Sequence, residues 1–219
     1  MSGDRGPEPS PPRFDLTSGR HCLDFVNTLE DRGGAARESL RAYPDLVEFA
    51  RQAGRVDEAT AVELLRRSRR EGAAARAVRR RAIELREALY RLLRSGSPGA
   101  AAADLALLNR ELSSALAERR LEPGGAGWRW SWAPSPDLAR PLWPVLLSVS
   151  DLLTSEELGA TRECRADRCS WLFLDRSRNR SRRWCDMRTC GNRAKARRHY
   201  GRVQAARRAA AGASRAPRP

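Results

Sequence analysis

Residues 164–190 decide the fold at the C-terminal end of this chain, and they read CRADRCSWLFLDRSRNRSRRWCDMRTC. Cys164 and Cys169 form one pair with four residues between them, and Cys185 and Cys190 form a second pair with the same spacing. Each short loop can present two sulfurs to one ion, and the fifteen residues between the pairs leave room for a short hairpin. Tetrahedral zinc takes four such ligands at about 2.3 Å, so the spacing predicts one zinc site.

The expected occupant is a single structural zinc ion. Four cysteines close the coordination shell and leave no position for water, which favours a structural role over a catalytic one. Two disulfides, four free thiols and an iron–sulfur cluster are the alternatives. Residues 1–12 lack the apolar segment of a secretory signal, and no apolar run approaches the roughly 20 residues of a membrane span. We therefore expect a cytoplasmic chain, in which reduced thiols favour metal over disulfides.

The basic charge of the chain is concentrated in its last quarter. The 219 residues carry a net charge of +15. Residues 161–219 contain 18 Lys and Arg against 4 Asp and Glu, whereas residues 1–160 contain 24 against 23. A GC-rich genome would explain arginine in place of lysine, but not the loss of acidic residues from one part only. The asymmetry predicts a polyanionic partner, with nucleic acid favoured over a membrane, and the alternative is a solvated basic surface without a partner.

The sequence predicts a mainly α-helical fold in two parts. A disordered lead-in precedes a helical domain that contains a small β-hairpin. A zinc finger follows, built from a short hairpin and a basic helix, and a disordered tail ends the chain. The corresponding ranges are 1–16, 17–158, 160–205 and 209–219.

Two apolar seams predict the longest helices of the first domain. The first seam consists of Val78, Ala82, Leu85, Leu89 and Leu92. The second consists of Leu105, Leu108, Leu112 and Leu116. An earlier helix places Cys22, Val26 and Leu29 on one face, so we expect Cys22 to be a buried apolar residue and not a metal ligand.

Trp128, Trp130 and Trp132 alternate with other residues after a Pro-Gly-Gly turn signal, which predicts a hairpin with three indoles on one face. Such a face could hold a base or a ligand. We favour packing against the helices, because indole rings bury large apolar areas. His21 and His199 have no partner motif, and we assign them no role.

The cysteine segment and the residues behind it resemble the CGNR zinc-finger family. The resemblance rests on the cysteine spacing, on the residues from Ser170 to Asn179, on Arg182 to Cys185 and on Gly191 to Lys195. Ser170 stands where many members have glycine. The first part of the chain is similar to the ABATE domain, in the segment CLDFVNTL from Cys22 to Leu29. The resemblance implies a bacterial transcription regulator, induced by stress, whose finger binds DNA.

Three polar residues of the same segment, Asp24, Asn27 and Thr28, share a helix face distinct from that of Cys22 and Val26. They are candidates for binding a small-molecule effector. Capping and hydrogen bonding between helices is the interpretation that we favour.

Basic residues around the finger are the candidates for nucleic-acid contact. A helix over residues 191–208 places Ala196, Tyr200 and Val203 on one face, suited to packing on the finger. Most arginines should contact phosphates, while some can read guanine. Asn192 could read adenine, but we favour helix capping. The candidates are Arg178, Arg180, Arg182, Arg183, Asn192, Arg193, Lys195, Arg197, Arg198 and Arg202.

Three functions stay open. The favoured one is a regulator whose finger and basic helix contact double-stranded DNA, while the helical domain senses an effector or forms a dimer. The second is an RNA-binding protein that stacks bases on Trp171, Trp184 or Tyr200. The third is a ligand-binding or protein-interaction domain with a purely structural finger.

Two further expectations follow from the motifs. Arg182 and Arg183 have a second interpretation, because beside Cys185 they can neutralise thiolate charge. We expect no enzymatic activity, since the sequence has no Ser/His/Asp set, no phosphate-binding loop and no metal site with an open position.

Overall fold

A computed structural model describes residues 13–95 and 102–213, and for residues 206–213 it describes the backbone only. The helices within this part are α1 His21–Val26, α2 Tyr43–Gln52, α3 Glu58–Arg70, α4 Gly72–Ser95, α5 Ala102–Ala117, α6 Trp143–Leu153 and α7 Asn192–Ala213. The strands are β1 Leu29–Glu30, β2 Arg37–Glu38, β3 Arg119–Gly124, β4 Gly127–Trp132, β5 Thr161–Glu163 and β6 Leu172–Leu174. The prediction of a mainly helical chain with small hairpins is confirmed. Short 3₁₀ turns cover Arg140–Leu142 and Glu156–Ala160.

Each strand pairs with one antiparallel neighbour, so β1–β2, β3–β4 and β5–β6 form three separate ribbons. In the second ribbon, Leu121 lies opposite Trp130 and Pro123 lies opposite Trp128. The turn between these strands contains Gly125 at φ 57°, a left-handed conformation that glycine adopts without steric cost.

Helix α4 is the central element of the helical domain. All five members of its predicted seam are buried, as expected for an apolar stripe that faces neighbouring helices on several sides. The predicted seam of α5 is buried only in part. Leu108 is buried and Leu112 half-buried, but Leu105 and Leu116 are exposed. Helix α5 packs on α4 and α6 along one narrow stripe, and the outer leucines lie outside it.

A buried arginine ties α4 to the first ribbon. Arg86 is 1 % exposed, and its two terminal nitrogens donate to the two carboxylate oxygens of Glu38, each at 2.7 Å. It also contacts Thr28 at 3.2 Å and Glu87 at 3.0 Å. Burial alone would lower the pKa of Arg86, but the hydrogen bonds that it donates to Glu38 outweigh this effect and raise that pKa. The charge is therefore paired inside the fold, and removing Glu38 would deprive the buried guanidinium of the partner that binds both of its terminal nitrogens.

Strand β6 forms a wall between the helical domain and the finger. Its side chains alternate, as in any strand. Leu172 and Leu174 belong to the core of the helical domain, whereas Phe173 packs with the cysteine cluster. One three-residue strand therefore contributes to two cores.

The side chain of Asn27 holds this strand in place. Its Nδ2 donates to the carbonyl of Leu172 at 2.8 Å, and its Oδ1 accepts from the amide of Leu172 at 2.9 Å. The amide of Leu174 donates to the carbonyl of Ser18 at 2.9 Å. The strand thus pairs with the start of the helical domain along one edge and with β5 along the other.

Several boundaries differ from those predicted. Helix α1 ends at Val26, so Leu29 lies in β1 and not on the helix face. Phe14 falls in the predicted lead-in but is buried in the core, and its amide donates to Gln52 at 2.9 Å. Helix α7 reaches Ala213, past the predicted start of the tail. Residues 1–12, the connection between α4 and α5 at 96–101 and the end of the tail at 214–219 lie outside the described residues.

No helix in the described ranges combines the length and the apolarity needed to cross a bilayer.

We expect Asn27→Ala to lower the free energy of unfolding by about 3 kcal/mol, because it leaves the buried amide and carbonyl of Leu172 without partners. Urea denaturation of the zinc-loaded chain measures this change. Asn109→Ala, at an exposed position on α5, is the matched control and should change stability by less than about 0.5 kcal/mol. Equal stability of the two variants would contradict the role given to Asn27.

Candidate metal centre and nucleic-acid interface

The four cysteines of the two predicted pairs converge. The Sγ atoms of Cys164, Cys169, Cys185 and Cys190 all lie within 4.8 Å of one another. The Cys169–Cys185 and Cys185–Cys190 sulfur distances are 3.7 and 3.6 Å. A tetrahedron with zinc–sulfur bonds of about 2.3 Å separates its sulfurs by about 3.8 Å, which fits these distances. A disulfide requires about 2.05 Å, so the arrangement matches a metal site and excludes two disulfides.

Backbone hydrogen bonds position the four ligands. The amide of Cys164 donates to the carbonyl of Trp171 at 2.8 Å, which extends the β5–β6 ribbon up to the first ligand. The amide of Cys169 closes a turn onto Ala166 at 2.9 Å. The amide of Cys185 donates to the sulfur of Cys164 at 3.4 Å and joins the two pairs. The first three ligands are therefore fixed by the hairpin and its turn.

The fourth ligand lies in a π-helical turn, Met187–Gly191, that leads into α7. Asp186 caps this turn, since its side chain accepts from the amides of Arg188 and Thr189. We predicted that Asn192 caps the helix, but the cap is Asp186. The Asn192 side chain instead donates to the carbonyl of Arg188 at 3.0 Å and ties α7 to the turn.

The thiols perturb one another. Hydrogen bonds from Cys169 and then Cys185 lower the pKa of Cys164, and the bond to Cys164 raises the pKa of both Cys169 and Cys185. Adjacent thiolates repel one another, so Cys169 and Cys185 keep their protons until a cation replaces them. Zinc binding here must release protons and therefore weaken as the pH falls.

Arg182 has a structural position. Its guanidinium lies over the ring of Phe173, 4.7 Å from the centroid, and donates to the carbonyls of Trp184 and Cys185. It thus binds the loop that carries Cys185, but through carbonyl oxygens and not through the sulfurs. Arg183 is exposed and lies over Trp184 at 5.4 Å.

The loop between β6 and Arg182 presents further arginines. Asp175 is buried and accepts from the amides of Ser177 and Arg182 at 3.0 and 2.9 Å. The Ser177 hydroxyl also donates to this carboxylate, and that bond, followed by the two amide bonds, lowers the pKa of Asp175. The loop they close leaves Arg178 and Arg180 exposed.

Between residues 192 and 205, helix α7 has little of its surface covered. We predicted that Ala196, Tyr200 and Val203 pack on the finger. Ala196 is exposed, Tyr200 is 66 % exposed, and only Val203 is half-buried. The packing prediction is therefore wrong for Ala196 and Tyr200, because the π-helical turn directs the helix away from the finger.

A basic cleft of about 940 Å³ lies between the finger and the first turns of α7. Six arginines line it: Arg165, Arg168, Arg183, Arg193, Arg197 and Arg198. Sequence reasoning missed Arg165 and Arg168. They lie in the loop between Cys164 and Cys169, and their proximity to two ligands was the signal that could have identified them.

On the outer side of the helix, the remaining predicted residues Lys195 and Arg202 lie beside His199 along a second concave surface.

The polar face of α1 is engaged within the fold. Asn27 binds Leu172, as described above. Asp24 accepts from the amide of Ser18 at 3.0 Å, and Thr28 donates to the carbonyl of Phe25 at 2.7 Å. These contacts give the three residues a structural role. The cavity that all three residues line is only about 20 Å³, too small for an organic effector. Asp24 also borders a larger cavity on its other side.

The tryptophan hairpin forms, but only part of it packs. Trp132 contacts Trp143 with ring centroids 5.1 Å apart. Trp128 and Trp130 are 75 % and 60 % exposed, so the packing interpretation is wrong for these two. Period-two alternation correctly placed the three indoles on one face but could not say what covers that face.

A hairpin, two cysteine pairs and a capped turn before a helix define a zinc finger, here joined to a helical domain. Residues 161–203 match the family described as the CGNR zinc finger. Residues 19–156 match ABATE, described as "Putative stress-induced transcription regulator". The chain belongs to the ABATE family and ends in a CGNR zinc finger. A comparison with curated proteins finds no match.

The sulfur geometry and the family agree on one structural zinc ion. All four ligands belong to this chain, and three are buried while Cys169 is half-buried. Zinc bound there would hold the hairpin against the turn that starts α7. Cys22 is fully buried in the helical core, as predicted, and takes no part in the site.

We expect the double variant Cys185→Ser/Cys190→Ser to lose the zinc ion, because it removes one chelating pair. Elemental analysis of the purified protein checks the stoichiometry, and circular dichroism should show less helix as α7 loses its anchored start. Cys22→Ala is the matched control and should keep its full zinc content. Full zinc in the double variant would contradict the assignment.

Proposed function

We propose that the protein is a zinc-dependent transcription regulator whose finger and α7 bind double-stranded DNA. The observation that carries this proposal is the basic cleft beside the start of α7, where residues 192–205 are largely uncovered. The family described above supports it, since its description is that of a transcription regulator.

The charges in the cleft are available for a polyanion. Arg197 pairs with Asp167, but within the described residues the other five cleft arginines form no ion pair. Together they place several guanidinium groups within one concave surface. Arginine binds phosphate through paired N–H groups, so such a surface suits a nucleic-acid backbone.

The dimensions of α7 suit the major groove. A helix with its side chains is about 10–12 Å across, and the groove of B-DNA is about 12 Å wide. In this arrangement Arg193 at the cleft would contact one phosphate strand, and Arg197 would join it once a phosphate displaced Asp167. Arg198 and Arg202 on the outer side would face base edges or the opposite strand, while Arg178 and Arg180 would add contacts from the finger loop.

RNA is less well supported by the aromatic side chains. Single-stranded RNA is usually bound by stacking of bases on open rings. Trp171 and Trp184 are half-buried, and Arg183 covers Trp184. Tyr200 is the exposed ring among the three that we considered, and His199 lies beside it at 5.9 Å.

We expect selection from random DNA to yield a preferred sequence, and a zinc chelator to abolish the enrichment. Competition with structured RNA distinguishes the two nucleic acids. Stronger binding to RNA, or DNA enrichment that survives chelation, would contradict the proposal.

We expect Arg183→Ala and Arg193→Ala each to weaken DNA binding and to reduce the salt dependence. Each lost phosphate contact should lower the slope of log K against log salt by about 0.9. Fluorescence anisotropy with the selected DNA at several salt concentrations measures this slope. Arg69→Ala, which removes an exposed arginine from α3, is the control and should leave the slope unchanged. The interface is elsewhere if all three variants behave alike.

A further inference from the structure

A second large concave site lies in the helical domain, far along the chain from the cysteines. It is a cavity of about 780 Å³ between the start of α1, the end of α2, strand β4 and helix α6. Four guanidinium groups reach its wall, from Arg20, Arg55, Arg119 and Arg176. The carboxylates on the wall are Asp24 and Asp151, and Asp24 already accepts a hydrogen bond from Ser18. The cavity therefore has an excess of positive charge.

Two of these arginines, in the part of the chain that the structure describes, make no salt bridge. Within the described residues, neither Arg55 nor Arg119 forms an ion pair. Arg55 lies near enough to the buried imidazole of His21 to influence its charge. A cavity that holds unpaired guanidinium groups favours an anion.

His21 supplies a polar atom without a partner on the same wall. The residue is 6 % exposed, and its ring stacks on Phe49 at 5.0 Å. Its Nε2 is buried and has no hydrogen-bond partner among the described residues. Burial, and then Arg55, lowers the pKa of His21 to about 3, so the imidazole is neutral near pH 7. Buried polar atoms are nearly always hydrogen-bonded, so this one points to a ligand group.

The opposite wall is aromatic. Trp130 and Trp132 line the cavity, and the guanidinium of Arg119 lies over both rings, 4.6 and 5.6 Å from their centroids. Trp130 is largely exposed although it stands beside a cavity. An uncovered indole next to a stacked cation is a surface on which a flat ring can lie.

We propose that this cavity binds an organic anion that carries a flat ring, with the ring on the Trp130–Trp132 wall and the anionic group toward Arg20, Arg55 and Arg176. A carboxylate and a phosphate share the chemistry that these arginines recognise. This binding site does not depend on the DNA-binding proposal.

The end of the cavity that would hold the anionic group of the ligand lies beside the finger. Arg20 precedes α1, Arg176 follows β6, and Glu157 lies in the segment between the domains. Glu157 accepts from Arg20 Nε at 2.8 Å and from Arg176 at 3.0 Å. One carboxylate thus links both arginines, and a bound anion would compete with it for them.

Release of Arg176 would loosen the arginine loop of the finger. Arg176 follows Asp175, which closes that loop through the amides of Ser177 and Arg182. The ligand would therefore act on the residues that we propose for DNA contact. This regulatory step rests on the proposed function, whereas ligand binding does not.

Calorimetric titration of the zinc-loaded full chain tests the binding site with two probes, adenosine 5′-monophosphate and 4-hydroxybenzoate. Each probe is compared with its two parts titrated separately. These are adenosine and inorganic phosphate for the first probe, and phenol and acetate for the second. We expect at least one probe to bind about tenfold or more tightly than either of its halves, because charged hydrogen bonds contribute on that scale. The tighter probe identifies which combination of ring and anionic group the cavity accepts. The proposal fails if neither probe exceeds its halves.

Variants locate the site. Arg55→Ala and Trp130→Ala change side chains that are exposed, so both should fold. Each should weaken the tighter probe about tenfold. Arg69→Ala and Trp128→Ala remove the same side-chain types outside the cavity and should leave the affinity unchanged. A probe that binds all four variants equally occupies another site and overturns the assignment.

Hydrogen exchange tests the link to the finger without DNA. We expect the probe to speed exchange of the Ser177 and Arg182 amides, and Glu157→Gln to do so without the probe. Unchanged exchange in both cases overturns the link. None of these measurements contains DNA. Failure of the chain to bind DNA would therefore contradict the proposed function, whereas ligand binding in the cavity would still be decided by the titrations and the exchange experiment.

Discussion

One side chain, Asn27, joins the helical domain to the finger through both hydrogen-bonding groups of Leu172. The amide side chain takes the place of a neighbouring strand, and it does so where water is excluded. A slip of β6 by one residue would turn Phe173 toward the helices and the leucines toward the cysteines. Asn27 therefore fixes the register on which both cores depend. The segment CLDFVNTL therefore forms a helix and also holds strand β6 against the helical domain.

The zinc site adds a second constraint, because it is built on the far face of the same strand. Four thiolates on a divalent ion carry net negative charge, and the finger around them is rich in arginine. Arg182 is held by carbonyls of the Cys185 loop and by the ring of Phe173, so its charge stabilises the loop from within. The cleft arginines project from the same scaffold. The metal thus gives the basic surface a defined shape.

The parts of this architecture that local spacing determines could be predicted. Two matched cysteine pairs specify a metal site, and a seam of apolar residues specifies the buried face of α4. Whether another part of the chain packs on a given face depends on tertiary structure, which local spacing does not specify. The alternation of indoles did not reveal that Trp128 and Trp130 are exposed, and the helical periodicity of α7 did not reveal that Ala196 is uncovered. Asn27 looked like a ligand residue or a helix cap because its partner lies 145 positions later.

The exposure of residues 192–205 in α7 has a thermodynamic consequence. A helix without a packed face is marginal in water, since forming its first turn costs more than it returns. Here Asp186 caps the preceding turn and Cys190 lies within it, so a zinc-bound sulfur holds the first turn in place. Metal removes the nucleation cost, and a polyanion that contacts both sides of the helix would stabilise the remaining turns. Each ligand then favours the conformation that the other binds, so zinc and nucleic acid should bind cooperatively even though they share no contact.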